Sequence, residues 1–169
     1  MTSITYILPT MLNFGYCVWL HPDKWKGFAD GFEPHLSLAT NLTLEEAIKI
    51  YNNLPDFKDT RIHLGEGVLE NTMDFWAFYY RIDNCESLDW MPHNPHVSFL
   101  YNYDKPVENL QIQMVRGMLG SNRHPNRSAK LTHASVVLCN GHYSSWKKIS
   151  STNKKDVIKE SDKKKSQIG

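Results

Sequence analysis

The sequence predicts an α+β protein in two related lobes. Three observations lead there. The order strand, helix, strand occurs twice. Each of the two helices follows a strand that opens on Pro-His-x-Ser, as "PHLSL" from Pro34 and "PHVSF" from Pro95, with the two histidines 61 residues apart. And the strands alternate or run apolar over short spans bounded by Pro, Gly, Asn and Asp. A weak internal repeat of this kind implies two similar units across a pseudo-two-fold axis, each an antiparallel sheet with its helix outside, around a central cleft.

The elements follow in order. "NFGYCVWLHP" from Asn13 is rich in aromatic and β-branched residues and stops at Pro22, which predicts a strand. "HLSLAT" from His35 alternates and predicts a second. Thr43 with Glu46 three residues on spells a capping box, so "TLEEAIKIYNNL" is a helix with Ala47, Ile50 and Leu54 as its apolar stripe and Pro55 at its close. "RIHLGEGVLE" and "DFWAFYYRI" are antiparallel strands joined through "NTMD", and "HVSFLYN" is the next. Asp104 and Pro106 open the second helix, its stripe Leu110, Met114, Val115, Met118 and Leu119, its end Gly120. "KLTHASVVL" is a strand, "NGHYSS" a turn and "SSWKKIS" a last short strand. From Ser151 the chain is polar and aromatic-free. The expected division is a domain over 1–150 and a disordered Lys-rich tail over 151–169.

Composition narrows the function classes. The formal charge of the chain is +1, and the tail's six Lys against three Asp or Glu leave the rest near −2. That is no broad field for nucleic acid or membrane; the tail alone offers RNA a weak contact. Cys17, Cys85 and Cys139 are an odd set without a CxxC pair, and the first residues lack a basic run before their apolar stretch. Both predict a reduced, cytoplasmic protein with no membrane span. His93-x-x-His96 and Cys139-x-x-His142 have no second pair at zinc spacing, so no metal is expected. No Gly-rich phosphate loop or dinucleotide fingerprint occurs.

His-x-Ser itself is cheap: His133-Ala-Ser135 and His142-Tyr-Ser144 also spell it. Only His35 and His96 follow a Pro, begin an apolar strand and lead into a helix. Residues i and i+2 of a strand share a face. His35 therefore projects with Ser37, and His96 with Ser98. Two such strands set two imidazoles and two hydroxyls around one cavity. One ring can take a proton while the other gives one, and the hydroxyls can hold phosphoryl oxygens. The bland reading is a pair of scaffold histidines satisfied by local hydrogen bonds.

These motifs resemble those of the two-histidine (2H) phosphoesterase superfamily, which includes bacterial RNA-ligase-like and viral members, and most closely its cyclic phosphodiesterase branch. "YCVWLHPD" resembles that branch's first strand, "FEPHLSLATNLTLEEA" its first motif and helix, "WMPHNPHVSFLY" its second motif and "VVLCNGHYSSWKKI" its closing strands. The match spans about residues 13 to 149. The resemblance implies a bilobal fold and a metal-free enzyme without cofactor, cleaving a phosphodiester in a nucleotide. It implies His35, Ser37, His96 and Ser98 as catalytic residues, His96 as base and His35 as acid, with Trp19 and Tyr101 lining the phosphate pocket. Trp19 and Tyr101 read equally as core aromatics. It makes His133 a scaffold residue and His93, in the inserted "PHNPH", a rim residue. The aromatic run Phe75, Trp76, Phe78, Tyr79 and Tyr80 reads mainly as core, with one alternating face able to stack a base. The substrate stays open among 2′,3′-cyclic phosphates, cyclic dinucleotides and 2′–5′ oligoadenylate. The expected partner is a nucleotide or short oligonucleotide, met by a monomer. The rival class is an RNA-binding module of the same fold without turnover. Removing residues 151–169 is expected to leave the melting temperature and the cleavage of a mononucleotide-sized substrate unchanged; a large drop in melting temperature on truncation contradicts the division at Ser151.

Overall fold

The computed structural model describes residues 13–25, 32–72, 75–83 and 88–150. Cys85 and the tail from Ser151 lie outside them. Seven antiparallel strands and two α-helices make an α+β fold, in the order β1 (Asn13–Pro22), β2 (Leu36–Leu42), α1 (Leu44–Asn52), β3 (Arg61–Asn71), β4 (Trp76–Ile82), β5 (His96–Asn102), α2 (Asn109–Leu119), β6 (Ser128–Asn140) and β7 (Lys147–Ser150). Among the described residues no helix is long and apolar enough to cross a membrane.

The strand order is β1-β2-β5-β4-β3-β6-β7, and β1 also pairs with β6. β1 runs along one edge of β6, from Asn13 opposite Asn140 to Pro22 opposite Leu131. The other edge of β6 is shared: Ser128–Lys130 pairs with β3, and Val136–Leu138 with β7. Six strands therefore close into a ring, with β7 appended. The order strand, strand, helix, strand occurs twice along the chain, as β1-β2-α1-β3 and β4-β5-α2-β6. β2 of the first set pairs with β5 of the second, and β3 with β6, both antiparallel. The sequence predicts two separate sheets. Instead the units share one sheet, because β3 of the first pairs with β4 of the second and β6 returns to β1.

Strand alternation sorts the side chains. Val18 and Leu20 of β1, Leu36 of β2, Val97 of β5 and Val136 of β6 are fully buried and share one core with both helices. Cys17, Trp19, Val137 and Cys139 face the other way, in a second small cluster with Phe14 and Trp146. The capping box forms: Thr43 Oγ1 accepts from Glu46 N at 3.2 Å, and Thr43 N donates to Glu46 Oε1 at 2.9 Å. α1 buries Ala47 and Tyr51, while Ile50 and Leu54 lie half-buried in a groove beside Trp90. α2 starts later than the sequence suggests, with Glu108 as its N-cap, because Val107 first drops into the core. Its buried stripe is Ile112, Val115 and Leu119, at spacings of three and four; Leu110 and Met114 point to solvent, 70% and 51% exposed. Gly120 ends the helix with φ +73°, and its N–H reaches Arg116 O at 2.9 Å.

β2 and β5 touch through one bridge, Leu36 opposite Val97. Leu36→Ala removes a fully buried side chain at that bridge and is expected to cost about 2–5 kcal/mol in urea unfolding. A cost below about 1 kcal/mol means the bridge does not hold the units together.

Candidate functional site

The Leu36–Val97 bridge sets the site. Both side chains point into the core, so their sequence neighbours point to the opposite face. In an antiparallel pair the register then puts His35 across from Ser98 and Ser37 across from His96. A cavity of about 240 Å³ opens on this face, lined by His35, Ser37, His96, Tyr101, Trp19 and Trp146, with Thr40, Asn41, Phe14 and the thiols of Cys17 and Cys139 around them. Cys17 and Cys139 are free and buried. A larger groove of 660 Å³, between β2, α1 and Trp90, is mainly apolar and holds none of the histidines.

The two histidines are held by the same device. His35 Nδ1 lies 2.6 Å from Glu33 O, and His96 Nδ1 lies 2.9 Å from Asn94 O. Each partner is the carbonyl two residues upstream, across a proline. A carbonyl only accepts, so in each ring Nδ1 carries the proton. The neutral ring is then left with a bare lone pair on Nε2. Aromatic side chains from equivalent strands support them. Trp19 of β1 stacks on His35, with centroids 3.5 Å apart and planes 12° from parallel; Tyr79 of β4 lies 4.5 Å from His96. Trp19 sits opposite Ser37 and Tyr79 opposite Ser98, so the units match here too.

The surroundings differ. His35 is 7% exposed, whereas His96 is only half-buried at the open side. Burial pushes His35 down from 6.5 to about 3; the bond to Glu33 O opposes this, and the neighbouring His21 and His96 add to it. His35 is therefore neutral around pH 7.

Ser37 lines the cavity. Ser98 is buried and does not line it, whereas Tyr101 does. Tyr101 faces Ser98 because of a bulge. Tyr79 pairs with Ser98 but Phe78 with Leu100, so Phe99 and Leu100 both turn into the core and Tyr101 returns to the cavity side. Burial raises the Tyr101 hydroxyl's pKa. Tyr101 also borders a neighbouring recess of 310 Å³ formed with Asn102, Tyr103, Asp104, His142 and Tyr143.

Of the other candidates, His93 is exposed and does not line the cavity. His133 on β6 stacks on His21, 4.3 Å apart and 6° from parallel. His142 caps the short turn Tyr143–Ser145, as its composition predicts. Phe78 and Tyr80 are core, while Phe75 packs against Tyr101 at 5.2 Å. No group of three metal-ligating side chains occurs among the described residues. Sequence reasoning missed the role of Tyr79 and missed a cluster behind His35: His21, Glu33, Ser135 and Lys148. No local spacing announces it, since Glu33 and Ser135 lie 12 and 114 residues from His21. Neither family models nor curated proteins give a match to the chain.

The lowered His35 value has a sign. The unfolded ring binds its proton near 6.5, the folded ring only near 3. Stability from this group is full above 6.5 and is lost as the pH falls toward 3. Ring-nitrogen NMR is expected to show His35 as the Nδ1–H form, unprotonated well below 6.5. An ordinary titration near 6.5 contradicts the buried-ring account.

Proposed function

We propose that the chain is a metal-free phosphodiesterase of the two-histidine kind, acting on a nucleotide. The observation that carries this reading is the antiparallel meeting of two His-x-Ser strands, with both Nδ1–H groups tied back and both Nε2 atoms left for chemistry. Scaffold histidines need no such matched orientation. The single β2–β5 bridge between repeated units supports the two-lobed arrangement, with the cavity on the seam.

His35, kept neutral by burial, is suited to take a proton on Nε2. That favours it as base and His96 as acid, the reverse of the assignment the family resemblance suggests. On a 2′,3′-cyclic phosphate, His35 removes a proton from water and the oxygen attacks phosphorus. The bond to one ribose oxygen breaks, and protonated His96 gives that oxygen its proton. The product is a monoester, and the two rings exchange protonation states, reset by solvent. On a 2′–5′ or 3′–5′ linkage, His35 instead takes the proton of the adjacent ribose hydroxyl, which attacks phosphorus to form the cyclic phosphate; the bond to the 5′ oxygen breaks, and His96 gives that oxygen its proton. Ser37 and the Tyr101 hydroxyl, which line the cavity, supply donors to the non-bridging oxygens, with Ser98 beneath them. The recess beside Tyr101, walled by Tyr103 and Tyr143, has the aromatic surface to stack a base.

The test is a panel of cyclic and 2′–5′ nucleotides with products resolved by mass, in EDTA. Turnover is expected to survive the chelator, because two imidazoles and two hydroxyls account for every proton moved. Loss in EDTA with rescue by zinc or manganese overturns the metal-free mechanism. His35→Ala and His96→Ala are each expected to lower kcat by about 10² to 10⁴. Ser37→Ala and Ser98→Ala are expected to cost roughly 10- to 100-fold, less than a dry oxyanion hole. A folded histidine variant with wild-type turnover sinks the enzyme reading; nucleotide binding without turnover in the wild type favours the binding-module alternative. In kcat/KM, which reports the free enzyme, the acid limb is expected well below 6.5, following His35.

A further inference from the structure

We propose that Glu33 is the positioning residue of His35, clamped by a His21–Ser135 pair on one side and Lys148 on the other. The inference rests on the reading of His35 as an acting group. Residues 32–35 carry no strand or helix assignment. The Glu33 carbonyl that accepts from His35 Nδ1 at 2.6 Å is thus only as fixed as its own segment. Phe32, buried against Tyr101 and Tyr143, anchors one side of the segment, and the Glu33 carboxylate fixes the other. Oε1 lies 3.0 Å from His21 Nδ1 on β1, and Oε2 lies 2.7 Å from Lys148 Nζ on β7. His21 is in turn locked: its Nε2 lies 2.7 Å from Ser135 Oγ on β6, and its ring lies flat on His133.

The proton order is determined. A carboxylate accepts, so His21 Nδ1–H donates to Glu33, and the bare Nε2 accepts from Ser135 Oγ–H. Burial lowers His21 to about 4, which agrees with a neutral ring in this form. These are the bonds of a Ser-His-carboxylate triad, yet Ser135 has no solvent exposure and lines none of the described cavities. A nucleophile that no substrate can reach is not one. The same bonds instead tie the Glu33 segment to β1, β6 and β7. Asn94, the counterpart behind His96, has no side-chain clamp of this kind among the described residues.

That asymmetry gives the experiment. Glu33→Ala and Glu33→Gln are made in the full chain and read by long-range proton–nitrogen spectra of the ring nitrogens, which need no substrate. In Glu33→Ala the His35 pattern is expected to move from pure Nδ1–H to a mixture of tautomers, while His96 stays as in the wild type. On a 2′,3′-cyclic nucleotide kcat is expected to fall roughly 10- to 100-fold with KM within about twofold, the signature of a misaimed group. Glu33→Gln keeps an acceptor for His21 and is expected to restore most of the His35 signature. A folded Glu33→Ala protein with an unchanged His35 spectrum overturns the proposal, as does equal disturbance of both rings. Should Glu33→Ala not fold, Lys148→Ala cuts the more exposed bond; broadened His35 signals with His96 unchanged uphold the clamp, and spectra identical to the wild type overturn it. If the wild type turns over no nucleotide, the phosphodiesterase reading fails while the spectra still decide the clamp.

Discussion

One cross-strand contact organises the molecule. Leu36 and Val97 meet at the bridge between β2 and β5, both fully buried. Because side chains alternate along a strand, driving these two into the core obliges residues 35, 37, 96 and 98 onto the opposite face. Hydrophobic burial thereby sets polar geometry. The helices help indirectly: α1 and α2 cover the core face, leaving the other face free to form a cavity. A slip of one residue at this bridge would turn the histidines into the apolar core and the aliphatic pair onto the cavity face, so folding free energy guards the register.

The repeated strand-and-helix order brings two histidines to one cavity, and their surroundings differ. The Nδ1 tether, the preceding proline, the cross-strand serine and the aromatic support recur in both halves. Burial does not. His35 lies under Trp19 with its Nδ1 on the Glu33 carbonyl, whereas His96 is only half-buried beside Tyr79. Paired groups in unlike environments are the usual way for a site to hold an acid and a base at one pH.

Local signals in the sequence were sufficient for most elements: β1 ends at Pro22 as read, and the Thr43–Glu46 box forms. The His-x-Ser pairs were legible because strand periodicity alone places their members together. What was not legible arises from contacts between distant strands. The bulge at Phe99 and Leu100 turns Tyr101 toward the cavity; strict alternation from His96 would put it in the core. The α2 stripe shifted because Ile112 competes with Leu110 and Met114 for the inward face, and the neighbouring strands decide between them. The union of two units in one ring depends on β6 pairing with both β1 and β3, more than 60 residues away in sequence from each.

The closure of that ring has a consequence for how the chain is made. β1 leaves the ribosome well before its partner β6, which follows more than 100 residues later. Until then β1 and β3 each carry an unsatisfied edge, a template for pairing with another chain. Contacts of such high sequence separation are also the slow ones to form. The same strand that completes the sheet brings Ser135 beneath His21, so the scaffold behind His35 is finished only when the ring is. Synthesis thus delivers the backing of the cavity after its histidines, and a chain stalled before residue 128 would hold His35 on an incomplete support with two open edges.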